Sequence, residues 1–136
     1  EVSKVATPFE HRSYGEELAA CQRYYQNSFD AGEAPTHDSQ NAVYRYIQPY
    51  TGSGIAGLDV SFPVVMRATP TCTLWTATPS ANTSSGRISF YNGTSWSNNT
   101  ATMHESTSSK RISVTSSAAP SGTILVQFNF EADAEL

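Results

Sequence analysis

This sequence of 136 residues is poor in charged residues and in cysteine. Charged residues make up 15% of the chain, against about 25% in an average soluble protein. The eight Lys and Arg residues are scattered and the formal net charge is −4, so we expect no nucleic-acid partner. The two cysteines, Cys21 and Cys72, allow at most one internal disulfide and exclude a four-cysteine zinc site.

Long apolar runs are also missing. No stretch approaches the roughly 18 consecutive apolar residues of a transmembrane helix, so we expect no membrane insertion. Residues 1–20 lack the basic start and apolar run of a secretory signal. The chain begins at Glu1 rather than at a methionine, and we interpret it as a piece of a longer protein.

Motifs for metal binding and catalysis are absent from the sequence. The histidines form no HxxxH pattern and the cysteines no CxxC pattern, so we expect neither a metal nor a cofactor. There is no GxSxG or SxxK motif. Most acidic residues lie in residues 16–38 and at the C-terminus, and no convergent pair of the kind that hydrolyses glycosides stands out. We therefore expect a protein without enzymatic activity.

Small hydroxyl side chains are the most abundant feature that is present. The chain has 19 Ser and 15 Thr residues, which together make up a quarter of its length. Leu, Ile, Val and Phe total 24 of the 136 residues, about 18%. This fraction is slightly below the level of about 20% under which a chain is suspected of being disordered. The small net charge and the 15 aromatic residues argue against disorder. These numbers predict one folded β domain with a hydroxyl-rich surface.

One helix is predicted near the N-terminus. Ser13 followed three residues later by Glu16 is the pattern of a capping box, and we predict a helix over residues 13–27. Four apolar residues then recur at spacings of four, three and four, as on one helical face: Tyr14, Leu18, Cys21 and Tyr25. We expect this face to be an oligomer interface formed by Leu18, Cys21 and Tyr25. The state predicted for Cys21 is a buried free thiol, and a disulfide with Cys72 stays open as the alternative.

After Pro35 the hydrophobic pattern changes to a period of two, which is typical of strands. We predict strands at residues 42–47, 58–62, 71–78, 87–91, 94–97, 101–105, 111–115 and 123–131. A glycine-rich loop is expected at residues 51–57, and Asn92-Gly93 predicts a hairpin turn because both residues tolerate positive φ. In the last strand four apolar residues alternate: Ile124, Val126, Phe128 and Phe130.

Short strands separated by frequent turns predict the fold class. We expect a mainly β protein, a jelly-roll-like antiparallel β-sandwich with one N-terminal α-helix over about residues 13–27. Trp75, in the middle of a predicted strand, is expected in the core or in an interface. No internal repeat and no second domain are visible in the sequence.

Residues 91–104 combine aromatic rings with amide, hydroxyl and imidazole groups. Sugar rings present apolar C–H faces together with hydroxyls, so a flat aromatic ring beside amide groups suits them. We predict that a glycan is bound by Tyr91, Asn92, Trp96, Asn98 and His104. The alternatives are that Tyr91 and Trp96 pack on a neighbouring sheet or subunit and that His104 is an ordinary surface residue of a strand.

Three stretches of the sequence together resemble a known family. The first is VATPFEHR at residues 5–12 running into ELAACQRYY at residues 17–25, the second is FPVVMRATPT at residues 62–71, and the third is ADAEL at residues 132–136. In this order they resemble the C-terminal receptor-binding head domain of bacteriophage and prophage tail-fibre or adhesin proteins. Residues 79–120 match no part of that pattern.

This resemblance implies a β-sandwich knob at the tip of a homotrimeric fibre, with the helix near the three-fold axis. Residues 1–12 would be a linker from a preceding fibre domain, and residues 13–136 would be the head domain. The implied partners are two further copies of the chain, the preceding domains of the same fibre and a host cell-surface glycan or other receptor. The implied location is the tail-fibre tip of the virion, after assembly in the bacterial cytoplasm.

The family has no established catalytic residues to carry over. Its shared residues imply packing for Tyr24 and Tyr25 and a carboxylate partner for Arg67. The function we predict is therefore a non-enzymatic receptor-binding domain that binds host bacterial surface glycan. A structural trimerisation or capping domain is the alternative, and a polysaccharide-degrading tail spike is the less favoured third reading.

Overall fold

The computed structural model describes residues 12–40, 43–47, 55–78 and 84–135, with the backbone alone for residues 55–57. Its elements in chain order are α1 (Tyr14–Gln22), β1 (Tyr25–Asn27), β2 (Tyr44–Ile47), β3 (Ile55–Ser61), β4 (Thr71–Trp75), β5 (Arg87–Tyr91), β6 (Trp96–Thr100), β7 (Thr102–Met103), β8 (Arg111–Ser116) and β9 (Leu125–Asp133). No helix in these ranges is long and apolar enough to cross a lipid bilayer.

The strands form two antiparallel sheets, and β9 is the central strand of the larger one. The first half of β9 pairs with β2 and β5, and its second half pairs with β1 and β4. β6 extends this sheet beyond β5, while β3, β8 and β7 form the second sheet. The predicted fold class is confirmed: the chain is a mainly β, antiparallel β-sandwich with one helix near its N-terminus.

Apolar side chains from both sheets fill the space between them. The alternation predicted for the last strand holds for Val126, Phe128 and Phe130, which are all buried in this core. Facing them from the second sheet are Leu58, Val60, Ile112 and Val114. The prediction is wrong for Ile124, which precedes β9 and is 42% exposed. Tyr46 joins the two layers because its hydroxyl donates to the backbone carbonyl of Asp59.

The opposite face of β9 is also buried, and its side chains are polar. Gln127 and Asn129 are 2% and 0% exposed, although the alternation of the sequence predicts an outward-facing position for both. The Asn129 amide donates to the carbonyl of Ser39 at 2.8 Å and accepts from the Ser28 hydroxyl at 3.2 Å. Residues 28–39 therefore cover this face at Asn129 and are held there by side-chain hydrogen bonds.

The helix is shorter than predicted, and its start follows the predicted capping box. The Ser13 hydroxyl accepts from the backbone N–H of Glu16, whose carboxylate accepts from the Ser13 N–H at 2.8 Å. The Ser13 N–H and the Ser13 hydroxyl both donate to the Glu16 carboxylate, and these two bonds lower the pKa of Glu16. The helix ends at Gln22 rather than at residue 27, because Tyr25 pairs with Asp133 at the end of β9. Pairing with a distant strand overrides the local helical periodicity.

The predicted position of Cys21 is wrong. Its side chain is exposed, and no residue of α1 is buried, so the apolar spacing does not mark a face packed on this domain. Cys21 and Cys72 are both free thiols, without the alternative disulfide between them.

Several predicted strand bounds also change. β6 occupies Trp96–Thr100 instead of residues 94–97, because the hairpin loop takes residues 92–95. β3 begins at Ile55, inside the glycine-rich loop predicted for residues 51–57. Residues 1–11 of the predicted linker and residues 51–54 of that loop lie outside the described residues.

Candidate functional site

The β5–β6 hairpin displays the aromatic residues that the sequence singles out. Tyr91 pairs with Trp96 at the last position of the ladder, which leaves a four-residue loop. The Asn92 side-chain oxygen accepts from the backbone N–H groups of Thr94 and Ser95 at 3.0 and 2.9 Å. Gly93 has φ of 92°, while Asn92 keeps a negative φ. The predicted turn is therefore confirmed, with positive φ at its glycine alone.

The Tyr91 and Trp96 rings pack against each other at this end of the sheet. Their centroids are 5.0 Å apart and their planes are inclined by 33°, within the range of favourable aromatic pairs. The Tyr91 hydroxyl donates to the Gly93 carbonyl at 3.0 Å, which ties the ring to the loop. Both rings are half-buried, so each keeps an orientation fixed by its neighbours and a partly accessible surface.

Strand register extends this aromatic pair into a row across four strands. Residues directly opposite each other in antiparallel strands point to the same face of the sheet. By register the row consists of Ile47, Leu125, Tyr91 and Trp96. At about 4.8 Å between strands it is roughly 14 Å wide. Ile47 is 84% exposed, so one end of the row lies open to solvent.

Polar groups border this row at the loop. Asn92, Thr94 and Ser95 are exposed, and Ile124 reaches the loop beside Gly93. Residues 88–104 contain no charged side chain. We call the row together with Asn92, Thr94 and Ser95 the hairpin surface. Its combination of partly accessible rings with neutral amide and hydroxyl groups favours a ligand that is uncharged and partly apolar.

Asn98 does not belong to this surface, which corrects the prediction. It is 1% exposed, and its amide is occupied inside the protein. The side-chain oxygen accepts from the Ser89 hydroxyl at 2.7 Å, and the NH₂ group donates to the Thr78 carbonyl at 3.1 Å. Ser89 in turn accepts from the backbone N–H of Ala77 at 3.1 Å. Asn98 therefore holds residues 77–78 against the sheet and is not accessible to a glycan.

His104 lies in the turn between β7 and β8 of the other sheet, which also separates it from the hairpin surface. It follows β7 in the turn toward β8, and its backbone N–H donates to the Ser113 carbonyl at 2.8 Å. Its Nδ1 accepts from the Ser106 N–H at 3.2 Å and lies 2.8 Å from the Ser106 hydroxyl. The side chain is exposed and organises its own turn, so the alternative of a surface residue is correct while its placement in a strand is wrong.

The three residues predicted to form an oligomer interface are not on one surface stripe of the helix. Leu18 and Cys21 are exposed on α1, whereas Tyr25 lies on β1. The Tyr25 hydroxyl donates to the Glu131 carboxylate at 3.0 Å, and desolvation is the main cause that raises the pKa of Tyr25. The helical spacing predicts that all three residues share one face, but the structure places only Leu18 and Cys21 on the helix.

Arg67 and Tyr24, to which the resemblance assigns structural roles, lie close to the end of α1. Arg67, for which the resemblance implies a carboxylate partner, has its guanidinium carbon 5.0 Å from the centre of the Tyr24 ring. Its backbone N–H donates to the Arg23 carbonyl at 2.8 Å. The contact on Tyr24 is a cation–π interaction, so the described partner of this guanidinium is an aromatic ring.

Ile47 and Leu125 are surface residues that sequence reasoning missed. They belong to the row with Tyr91 and Trp96, but each lies in a strand far away along the chain. The alternation of residues 42–47 and of β9 carries the signal of which face each occupies, and only the register places them side by side. Within the described ranges, no group of three or more His, Cys, Asp or Glu side chains is placed to hold a metal ion.

The resemblance to head domains rests on the three sequence stretches, of which residues 5–11 lie outside the described part of the chain. Comparison with protein-family models, with curated proteins and with solved structures finds no match to this chain.

Proposed function

We propose that this chain is a non-enzymatic receptor-binding domain that binds bacterial surface glycan through the hairpin surface. The observation that carries the proposal is the Tyr91–Trp96 pair, held at 5.0 Å beside the exposed Asn92. The rings offer apolar area to the C–H face of a sugar, and the amide and the loop hydroxyls offer partners to its hydroxyls.

The hairpin surface is organised before any ligand arrives. The Asn92 side chain fixes the loop backbone, and the Tyr91 hydroxyl fixes its ring against Gly93. Binding to a surface that is already ordered avoids part of the entropy lost when side chains and loops are immobilised. The absence of charged residues from residues 88–104 supports a neutral glycan over a phosphorylated or carboxylated one.

The resemblance to tail-fibre head domains supports the proposed location. We place the domain at the tip of a phage tail fibre, in the virion, as one of three identical chains. A single small and partly exposed surface binds a glycan weakly. Three linked copies raise the effective concentration for the second and third contacts, so the fibre binds a cell far more tightly than one domain does.

Binding to whole host cells and to a glycan array tests the proposal with the oligomeric protein. Trp96→Ala is expected to weaken binding about thirtyfold per domain, the effect of losing a hot-spot aromatic worth about 2 kcal/mol. Val65→Ala is the control, since Val65 is an apolar residue that is 53% exposed and lies outside both the hairpin surface and α1. Equal binding by both variants would contradict the assigned surface, and release of reducing ends from a bound polysaccharide would contradict the non-enzymatic role.

A structural role in trimer formation is the second candidate, and one observation favours it. The nine residues of α1 include none that is buried, and Leu18 is 42% exposed. Helices shorter than about 12 residues are marginal in water and depend on tertiary packing. Contact with two further copies of the chain would supply that packing to Tyr14, Leu18 and Cys21.

Light scattering coupled to gel filtration tests this second role. Leu18→Asp is expected to convert a trimer to a monomer, because it buries a charge in the contact. Ile47→Asp is the matched control, since Ile47 is exposed on the hairpin surface. A wild-type monomer, or a trimer that persists in Leu18→Asp, would refute the role of the helix.

A further inference from the structure

A half-open cleft lies between the end of α1 and the large sheet, away from the hairpin surface. Its volume is about 240 Å³. Among the described residues it is lined by Gln22, Tyr25, Gln26, Asn27, Tyr44, Pro63 and Phe130. We call this the β1 cleft, because β1 contributes Tyr25, Gln26 and Asn27 to it. None of the sequence patterns predicts it.

One wall of the β1 cleft is made of amide groups whose positions are fixed. The buried Gln26 donates both N–H groups of its amide, to the Gln22 carbonyl at 2.8 Å and to the Val64 carbonyl at 2.7 Å. Its side-chain oxygen remains as an acceptor. The Asn27 amide donates to the Tyr25 hydroxyl at 3.3 Å and accepts from the Phe29 N–H at 2.9 Å.

Gln22 supplies the adaptable polar group at the mouth of the cleft. It is the last residue of α1, it is half-buried, and its side-chain amide makes no hydrogen bond with the described residues. An amide can both donate and accept, so Gln22 can donate a hydrogen bond to a ligand hydroxyl or accept one from it.

Aromatic rings and a proline form the apolar part of the cleft. The rings of Tyr44 and Phe130 lie 5.5 Å apart at 42°, and Phe130 belongs to the buried core. Pro63 and the Tyr25 ring complete the lining. Tyr25, Tyr44 and Phe130 are carried by strands of the sandwich, so most of the apolar surface is held by the sheet.

No Lys, Arg, Asp or Glu is among the described lining residues. The nearby Glu131 carboxylate already accepts from the Tyr25 hydroxyl at 3.0 Å. The cleft therefore offers nothing that would compensate a charged ligand, which disfavours phosphates, carboxylates and amines. What remains is a neutral ligand with both an apolar face and several hydroxyls.

We propose that the β1 cleft binds a single neutral sugar ring. Its volume lies below the range of about 300–1,000 Å³ that holds drug-sized ligands, so one ring fits better than an oligosaccharide. The ring packs one face on Tyr44 and Pro63 while its hydroxyls bond to Gln22 and Gln26. This ligand is either a free monosaccharide or the terminal sugar of a glycan, which share the same chemistry.

This site is independent of the hairpin surface. Phe130 of the cleft and Leu125 of the hairpin surface are five residues apart on β9, which corresponds to roughly 17 Å. Because side chains alternate along a strand, these two point to opposite faces of the sheet. One sugar therefore cannot contact both sites, and each can be removed without the other.

Titration of the isotope-labelled chain with single sugars, followed by NMR of backbone and side-chain amides, tests the proposal. The probes are D-glucose, D-galactose and N-acetyl-D-glucosamine at up to about 50 mM, enough to detect the weak millimolar binding expected of a small ligand. We expect at least one of them to shift the signals of Gln22, Gln26 and Asn27. The methyl glycosides of the same sugars distinguish a free monosaccharide from the terminal sugar of a glycan as the ligand. A terminal sugar carries a substituent on its anomeric oxygen, as the methyl glycoside does, and a free sugar does not.

Variants at one helical position give the matched comparison. Gln22→Ala is expected to weaken sugar binding about five- to tenfold by removing one hydrogen-bonding group. Gln22→Trp places a large ring at the mouth and is expected to abolish binding. Gln40→Ala changes an exposed glutamine outside the described lining of the cleft and is expected to leave sugar binding at the cleft unchanged.

Two outcomes would overturn the proposal. One is the absence of any shift at the cleft residues with all six probes. The other is binding that Gln22→Trp leaves intact. Shifts confined to residues 91–96 would refute the β1 cleft while supporting the hairpin surface, so failure of one site is distinguishable from failure of the other.

Discussion

The two faces of β9 are both buried, and they are chemically opposite. Val126, Phe128 and Phe130 point into the space between the sheets, where other apolar side chains meet them. Gln127 and Asn129 point the other way and are equally inaccessible to water. The difference lies in what covers each face.

The inner face is covered by another sheet, whose own hydrogen bonds are made within its ladders. The outer face is covered by irregular chain at residues 28–39 and 76–78, where isolated backbone bonds, such as Ser28 N–H to the Phe130 carbonyl and Asp38 N–H to the Thr76 carbonyl, take the place of a continuous ladder. Buried backbone N–H and C=O groups must be paired, so side chains of the sheet pair with them. Asn129 bonds to Ser39 and Asn98 bonds to Thr78 for this reason. The buried residues Asn129 and Asn98 therefore attach loops to the sheet, and their polarity does not indicate a face exposed to solvent.

Phe128→Ala should have the largest effect, because it empties the centre of the apolar face. Phe128 is fully buried and stacks near Tyr44 and Tyr46. We expect the free energy of unfolding in urea to fall by about 3–5 kcal/mol. The control is Ile47→Ala on the exposed end of β2, for which a change within about 0.5 kcal/mol is expected. Similar losses in the two variants would contradict the location of the core.

Asn129→Leu tests the polar face with a side chain of similar shape. It leaves the Ser39 carbonyl without its partner, and we expect a loss of about 1–3 kcal/mol in the free energy of unfolding. Asn99→Leu is the matched control, since Asn99 is half-buried and its amide donates to Ser97 at 3.4 Å. If Asn129→Leu were neutral, the outer face would behave as a second apolar core and the contrast between the two faces would fail.

Cys72 sharpens the comparison at the edge of the inner face, where it pairs with Ala132. Burial raises the pKa of its thiol to about 11 from the ordinary 9.0. As the pH rises from 9 toward 11, the unfolded chain loses a thiol proton that the folded chain retains, so Cys72 makes folding less favourable. We expect the free energy of unfolding to fall less steeply over this range in Cys72→Ala than in the wild type.

Cys21→Ala is the control for that measurement, because Cys21 is exposed on α1. It should follow the wild-type pH dependence in urea unfolding at pH 8, 9, 10 and 11. The effect is the smallest of the three because Cys72 is only partly buried. Identical curves for wild type and Cys72→Ala would show that the thiol is accessible to water.

The candidate sites differ in how far the sequence predicts them. The hairpin surface is partly predictable because Tyr91, Asn92 and Trp96 are close along the chain and Asn92-Gly93 indicates the turn. Asn98 belongs to the same stretch, and its neighbours along the chain give no sign that Thr78 and Ser89 bury it. The β1 cleft joins residues as distant as Gln22 and Phe130, so no local pattern indicates it.

The sequence by itself determined the features that depend on neighbours along the chain. The capping box at Ser13 and Glu16, the alternation of Val126, Phe128 and Phe130, and the β5–β6 turn are set by local hydrogen bonds and by side-chain period. The tertiary structure alone decided that Tyr25 leaves the helix for a strand and that Asn98 and Asn129 are buried. These outcomes depend on strand register and on which segment covers each face, and both are set by contacts between residues far apart in the chain.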